Sequence, residues 1–304
     1  MGKLPIVTVI VYSYNSSQYI FETLESIRNQ TYPSLMLIIS DDCSTDNTVE
    51  ICKKWIDKNE SRFIKTKLLT YEKNTGISAN ANRAWDACET EYFKDIAGDD
   101  VLLPNCIQDY VDYMQEHPET VVVFARVRPF RVYLGIKMWY KESSHDYGFF
   151  DLSSKEQYHS LINNGNRLPA SSCFYNIKKL REMSFKHDER IPLLEDYPKW
   201  IMLTRRGVKL VLLNKHTVAY RLNNNSLSVG AYSPSFFKSN ILLYLYYFQN
   251  DSNSAENNDE VYNLMSNHIS HFYTNVVNSF EYKLGCFLMR PLRILQTIGQ
   301  FFKL

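Results

Sequence analysis

Along the first part of the chain, continuous apolar runs alternate with stretches of helical spacing. "IVTVIVYSY" (6–14) is β-branched and apolar throughout, as a strand buried on both faces would be. "SSQYIFETLESIRNQ" (16–30) then places Ile20, Leu24 and Ile27 on one helical face. "SLMLIISDD" (34–42) predicts a second strand and "STDNTVEICKKWIDKN" (44–59) a second helix, with Thr45 or Asp46 as its N-cap. "FIKTKLLTYE" (63–72) predicts a third strand, "NTGISANANRAWDAC" (74–88) a loop and helix, and "EYFKDIAGDD" (91–100) a fourth strand ending in acids. Such alternation implies right-handed βαβ units and a parallel sheet.

The middle of the chain is mixed. "TVVVFARVRPFRVYLGIKMWY" (120–140) predicts one or two strands, and "GNRLPASSCFYNIKKLREM" (165–183) a loop, a strand and a helix start. "RIPLLEDYPKWIMLTRRG" (190–207) has helical spacing at Trp200, Ile201 and Leu203, with Asp196 at or beside the N-cap and Pro198 in the first turn. "VKLVLLNKHTVAYRL" (208–222) predicts a strand or two. A polar linker (249–260) and helical material follow. The expected class is α/β: a central mixed sheet with flanking helices over 1–232, divided near 104, and a helical C-terminal extension over 233–304.

Ligands of open α/β sheets bind beyond the carboxyl ends of the strands. That rule selects "YSYN", "SDDCSTD", "KNTG" and "GDD", each of which follows a predicted strand. The adjacent Asp99 and Asp100 have two readings: a turn aimed at water, or a site for a cation or a phosphate–metal complex. Composition narrows the classes. With 304 residues, 45% hydrophobic, there is ample material for a core, and a net charge of +1 gives no bulk field for nucleic acid. The six cysteines show no CxxC pair, as free thiols of a reducing compartment would. No segment reaches the ~20 apolar residues of a membrane span. These features predict a cytoplasmic protein with no nucleic-acid partner.

The ordered series "VTVIVYSYN", "LIISDDCSTDNT", "NTGISANAN", "IAGDDVLLP", "LLEDYPKWIML" and "YRLNNNSLS" resembles the family 2 inverting glycosyltransferases of GT-A fold, over about residues 5–230. The resemblance implies transfer of a sugar from a nucleotide-sugar donor, UDP foremost, to a saccharide or lipid-linked saccharide in bacterial surface-polysaccharide synthesis. On this reading Tyr14 stacks on the nucleobase. Asp42 accepts from the uracil imide, with the adjacent Asp41 in second place. Asn74 and Gly76 border the nucleotide beside Lys73, Arg221 meets the diphosphate and Ser226 a phosphate oxygen. For each of these, core packing, a turn or a surface position is the alternative.

Asp99 and Asp100 match the motif that holds ribose hydroxyls and a divalent metal, Mn²⁺ or Mg²⁺. Ala97 stands where the commoner pattern has a further carboxylate, which thins the site. Asp196 matches the base that takes the acceptor proton, with Glu195 second; the alternative for Asp196 is a helix cap. "LPASSCFY" (168–175) is placed at the donor sugar or acceptor.

Outside the resemblance, 281–304 reads either as a basic amphipathic helix in peripheral contact with the inner face of the cytoplasmic membrane or as a helix packed on protein, in this chain or in a homo-oligomer. His268 and His271, spaced i,i+3, show no third metal ligand. Two other enzyme classes lack their signatures. A sugar nucleotidyltransferase wants a glycine-rich loop after the first strand, where "YSYNSSQY" has none, and a hydride-transfer enzyme wants G-x-G-x-x-G. A non-catalytic sugar-nucleotide or saccharide-binding module stays open because of Ala97.

Overall fold

The computed structural model describes residues 4–142, 145–191, 193–223 and 234–248. The chain forms two compact units, Met1–Ser226 and Leu227–Leu304. In the first, β1 (Val7–Ser13), α1 (Ile20–Arg28), β2 (Leu35–Asp41), α2 (Thr48–Asn59), β3 (Lys65–Thr70), α3 (Ile77–Asp86) and β4 (Tyr92–Ala97) follow the expected alternation. Then come β5 (Val101–Leu102), α4 (Cys106–Glu116), the hairpin β6 (Val122–Tyr133) and β7 (Ile136–Trp139), and α5 (Ser154–Asn164). The unit closes with β8 (Phe174–Asn176), α6 (Ile177–Glu182), α7 (Asp196–Arg205) and β9 (Val211–Arg221). In the second unit the described residues form α8 (Pro234–Leu243) and a π-helical turn, Tyr244–Phe248.

All nine strands join one sheet in the order β3-β2-β1-β4-β8-β6-β9-β5, with β7 on β6. The β3-β2-β1-β4 half is parallel, as the βαβ pattern predicts. Beyond it β8 and β5 run antiparallel to their neighbours. Both faces of β1 are covered, so its apolar run is continuous. Val7, Val9 and Val11 pack with Ile20, Leu24 and Ile27 of α1 in the main core, while Tyr12 on the other face accepts a hydrogen bond from Trp85 of α3.

Two expectations shift in detail. The second helix begins at Thr48 with Asn47 at its cap position, and Asp46 caps from one residue earlier by accepting from the Thr48 N–H at 3.0 Å. The helices α4 and α5 add to the expected set. The 249–260 linker, the 281–304 helix, the His268–His271 pair and Ser226 lie outside the described residues. Among the described residues, five cysteines are free and no helix is long and apolar enough to cross a membrane.

Candidate active site

The parallel strands end level. Ser13 of β1 is in register with Asp41 of β2, Tyr12 with Ala97 of β4, and Asp41 with Thr70 of β3. Chain leaving these ends forms one polar edge. Tyr14 follows β1 with half its surface exposed. Its loop is rigid: Asn15, at φ 49°, donates from its N–H to Ser44 and accepts at its side chain from the Thr45 N–H, both at 2.8 Å. Asn tolerates that backbone better than other L-residues. A flat aromatic face is thereby presented on a fixed base.

The acids after β2 are both engaged by protein donors. Asp41 is fully buried, and its oxygens accept from Ser13 Oγ (2.8 Å), Ser44 N–H (2.7 Å) and Ser44 Oγ (2.6 Å). Asp42 is nearly as buried and accepts four bonds: from Thr75 N–H, Thr75 Oγ1, Gly76 N–H and Arg83 Nη2, at 2.7–3.0 Å. A carboxylate has about four acceptor positions, so a further donor would have to share or displace one of these. Asp42 fixes the loop carrying Asn74 and Gly76. Gly76 sits at φ 88°, ψ 164°, a conformation that suits glycine alone, and Asn74 is exposed on the same turn.

Asp99 and Asp100 occupy the corner between β4 and β5. Gly98 makes the corner feasible: a Cβ there would lie 3.1 Å from Ser16 Oγ and from Ile20 Cδ1. Arg221, at the end of β9, is the clamp. Its backbone N–H donates to Asp100 Oδ1 (2.8 Å), its Nε to the Asp99 carbonyl (2.7 Å) and its Nη2 to Glu22. The guanidinium lies over the rings of Tyr19 and Phe130, each 4.6 Å away, and only 5% of the residue is exposed. Arg221 is therefore buried rather than a surface residue, and through its backbone N–H and Nε it positions the acids. Asn223 donates to Asp99 Oδ2 at 2.8 Å.

Among the described residues no Lys or Arg side chain bonds either carboxylate. Burial raises Asp99, and burial together with the Asp99 charge pushes Asp100 well above the usual carboxylate range. Arg221 and Lys94 offset this only in part, and two crowded carboxyls are a fitting donor set for a hard divalent cation. No group of three such ligands occurs among the described residues, so water and substrate oxygens would complete the coordination.

Glu195 and Asp196 open α7. Asp196 is held at both oxygens: Oδ1 accepts from the Tyr197 N–H (2.8 Å) and Oδ2 from Asn166 Nδ2 (2.7 Å). Burial, then the neighbouring Asp196 charge, lifts the Glu195 carboxyl to about 7, against the pull of Lys199 one turn along. The Glu195 charge adds to the burial that raises the Tyr12 hydroxyl of β1. The preceding segment is tied to α3, where Asn82 and His187 exchange bonds of 3.0 and 2.8 Å. Sequence reasoning missed Arg83, Asn166, Asn223, Glu22 and the clamping role of Arg221. Of these, only Arg221 and Asn223 lie in a stretch that the motif series includes, "YRLNNNSLS".

Comparisons with known proteins agree with this layout. The profile of the family described as "Glycosyl transferase family 2" matches residues 8–179, more than half of the chain. The putative teichuronic acid biosynthesis glycosyltransferase TuaG of Bacillus subtilis is 24% identical over 74% of this chain and 82% of its own. The UDP-Glc:alpha-D-GlcNAc-diphosphoundecaprenol beta-1,3-glucosyltransferase WfaP of Escherichia coli is 25% identical over 79% and 86%. Among solved structures, S. aureus TarS 1-349 in complex with UDP-GlcNAc aligns over 91% of this chain and 77% of that one, with 20% identity and a TM-score of 0.62. This chain spans 46% of the longer TarS chain. An α/β sheet of GT-A type with acids gathered at the strand ends, and a profile match through that sheet, lead to one assignment: the chain belongs to glycosyl transferase family 2, and it is a glycosyltransferase.

Proposed function

We propose that the protein transfers a sugar, with inversion, from a nucleoside diphosphate donor, UDP foremost, to a saccharide or lipid-linked saccharide in bacterial surface-polysaccharide synthesis. The observation that carries this reading is the exposed Tyr14 beside the Asp99–Asp100 corner, at the level ends of β1 and β4. The relatives' names support the donor and pathway class: WfaP is named for UDP-Glc and a lipid diphosphate acceptor, and TarS is solved with UDP-GlcNAc.

Tyr14 stacks on the base. Asp99 and Asp100, held by Arg221 and Asn223, face the ribose and the diphosphate and would hold Mn²⁺ or Mg²⁺. Such an ion, when bound, supplies positive charge against the leaving diphosphate. Asp196, fixed by Asn166 and its own helix, takes the proton from the acceptor hydroxyl. That oxygen forms a bond to the anomeric carbon while the bond to the diphosphate breaks on the opposite face. Glu195 is the second candidate base, since a carboxyl near 7 exchanges protons readily around neutrality.

Incubation with a panel of sugar nucleotides, with product anomers read by NMR, tests the proposal. Wild type should release nucleoside diphosphate with inversion. Asp196→Asn should lose about 10³-fold in kcat while still binding nucleotide. Saturable binding without transfer or hydrolysis under any divalent metal would make the chain a binding module instead. A fully active Asp196→Asn with an inactive Glu195→Gln would move the base to Glu195.

A further inference from the structure

We propose that the β6–β7 hairpin is a membrane foot that seats the catalytic edge on an anionic lipid surface. The ribbon leaves the body of the sheet after Phe130, the last residue of β6 in register with β9, and β7 pairs with β6 alone. Every residue from Arg131 to Lys141 is exposed. The exposed side chains are of the wrong kind for a soluble tip: Tyr133 is 70% exposed, Leu134 85%, Ile136 65% and Met138 51%. Large apolar groups clustered in this way mark contact sites rather than ordinary surface.

The turn itself points the same way. Leu134 at φ 48° and Gly135 at φ 78° are the central residues of a two-residue hairpin loop, where Asn-Gly or Asp-Gly is the inexpensive choice. Leucine at a positive φ is strained, and its side chain contributes nothing to the core. An apolar side chain held at the outermost point of the ribbon gains only if something apolar receives it. Trp139 and Tyr140, each a little under half exposed, stand at the ribbon's base, the level where such rings meet a bilayer interface.

Charge selects lipid over a second copy of the chain. Residues 120–141 contain five cations, Arg126, Arg128, Arg131, Lys137 and Lys141, and no acid, in a chain of net charge +1. Ribbon-to-ribbon pairing of two copies along the β7 edge would bring these like charges together. An anionic surface complements them. Behind the ribbon lies a cavity of about 480 Å³ whose walls include Arg126, Arg128, Lys141 and His216, with one acid, Glu142, paired to His145.

The foot is also wired to the site. Lys137 pairs with Glu22 at 2.5 Å, Glu22 with Arg221, and Arg221 holds the Asp99 carbonyl. A lipid-seated ribbon would thus bring the donor carboxylates to headgroup level. The inference builds on the lipid-linked acceptor of the proposed function and is separate from the 281–304 segment. Its deciding readout, partition onto vesicles, uses neither donor nor acceptor, so its failure leaves the transfer reaction untouched.

The full chain is sedimented with phosphatidylcholine vesicles, with and without phosphatidylglycerol. It should pellet only with the anionic vesicles, and less at high salt. Leu134→Asn/Ile136→Thr relieves the turn, keeps strand propensity and removes the apolar tip. This variant should melt no lower than wild type, hydrolyse sugar nucleotide at the wild-type rate and lose about tenfold or more in vesicle partition. Wild-type chain left in the supernatant, or a variant that pellets like wild type, would overturn the proposal. So would a wild-type dimer that the variant converts to monomer with lipid binding unchanged, since the ribbon would then be a self-interface.

Discussion

"SDD" and "GDD" are alike on paper: two aspartates directly after a buried parallel strand. In the fold they behave in opposite ways. Asp41 and Asp42 together receive seven hydrogen bonds, whereas Asp99 and Asp100 together receive two at their carboxylates. The first pair is therefore a fastener that holds the loops beyond β2 and β3. The second is crowded and receives few donors, with Asp99 half-buried and Asp100 buried behind it. A buried charge with its acceptors filled builds structure; one left short of donors is available for chemistry. The polar edge needs both, because Tyr14 and Asn74 have no fixed positions unless Asp41 and Asp42 lock the loops that carry them.

That contrast can be broken from either side. The largest effect should come from Arg221→Met, which leaves the Asp99 carbonyl and the ring stack without their guanidinium. Denaturant unfolding should show a loss of about 3 kcal/mol. Turnover should fall about a hundredfold as the carboxylates drift. Normal activity in this variant would mean that the clamp is incidental. Asp41→Asn comes next: swapping a filled carboxylate for an amide should cost about 2 kcal/mol of stability while UDP affinity changes by less than about threefold. A variant that folds normally but cannot bind UDP would put Asp41 back among the ligand contacts.

The smallest effect concerns pH. Glu195 titrates near 7 in the fold against an ordinary value of 4.5, so the folded form holds this proton more tightly. The stability it contributes is present in full below about pH 4.5 and is lost as pH rises toward about 7. Glu195→Gln cannot lose a proton. Its melting temperature should decline less between pH 5 and pH 8, and at pH 8 it should melt about 2–4 °C above wild type. Parallel pH curves for the two proteins would show that the Glu195 carboxyl is not perturbed.

Much of the fold was legible because it is written locally. The β-branched runs at 6–14 and 34–42 announce buried parallel strands, and four polar clusters at strand ends mark the edge. Even the start of α5 carries its signal, a Ser153–Glu156 capping box, although the periodic pattern alone passes over it. What one sequence does not display is saturation. Asp42 meets Arg83 from 41 residues away, and Asp100 meets the Arg221 backbone from 121. Whether an acid is a fastener or a ligand depends on such distant donors. Arg221 misleads for the same reason: the rings of Tyr19 and Phe130 that bury it belong to other elements.

The distinction between the two acidic pairs is tested most directly by thermal shift with UDP, with and without Mn²⁺, on wild type, Asp99→Asn and Asp41→Asn side by side. UDP should stabilise all three, and Mn²⁺ should add a further increment in wild type and Asp41→Asn but none in Asp99→Asn. An increment that survives in Asp99→Asn, or that disappears equally in both variants, would contradict the division of labour between the pairs.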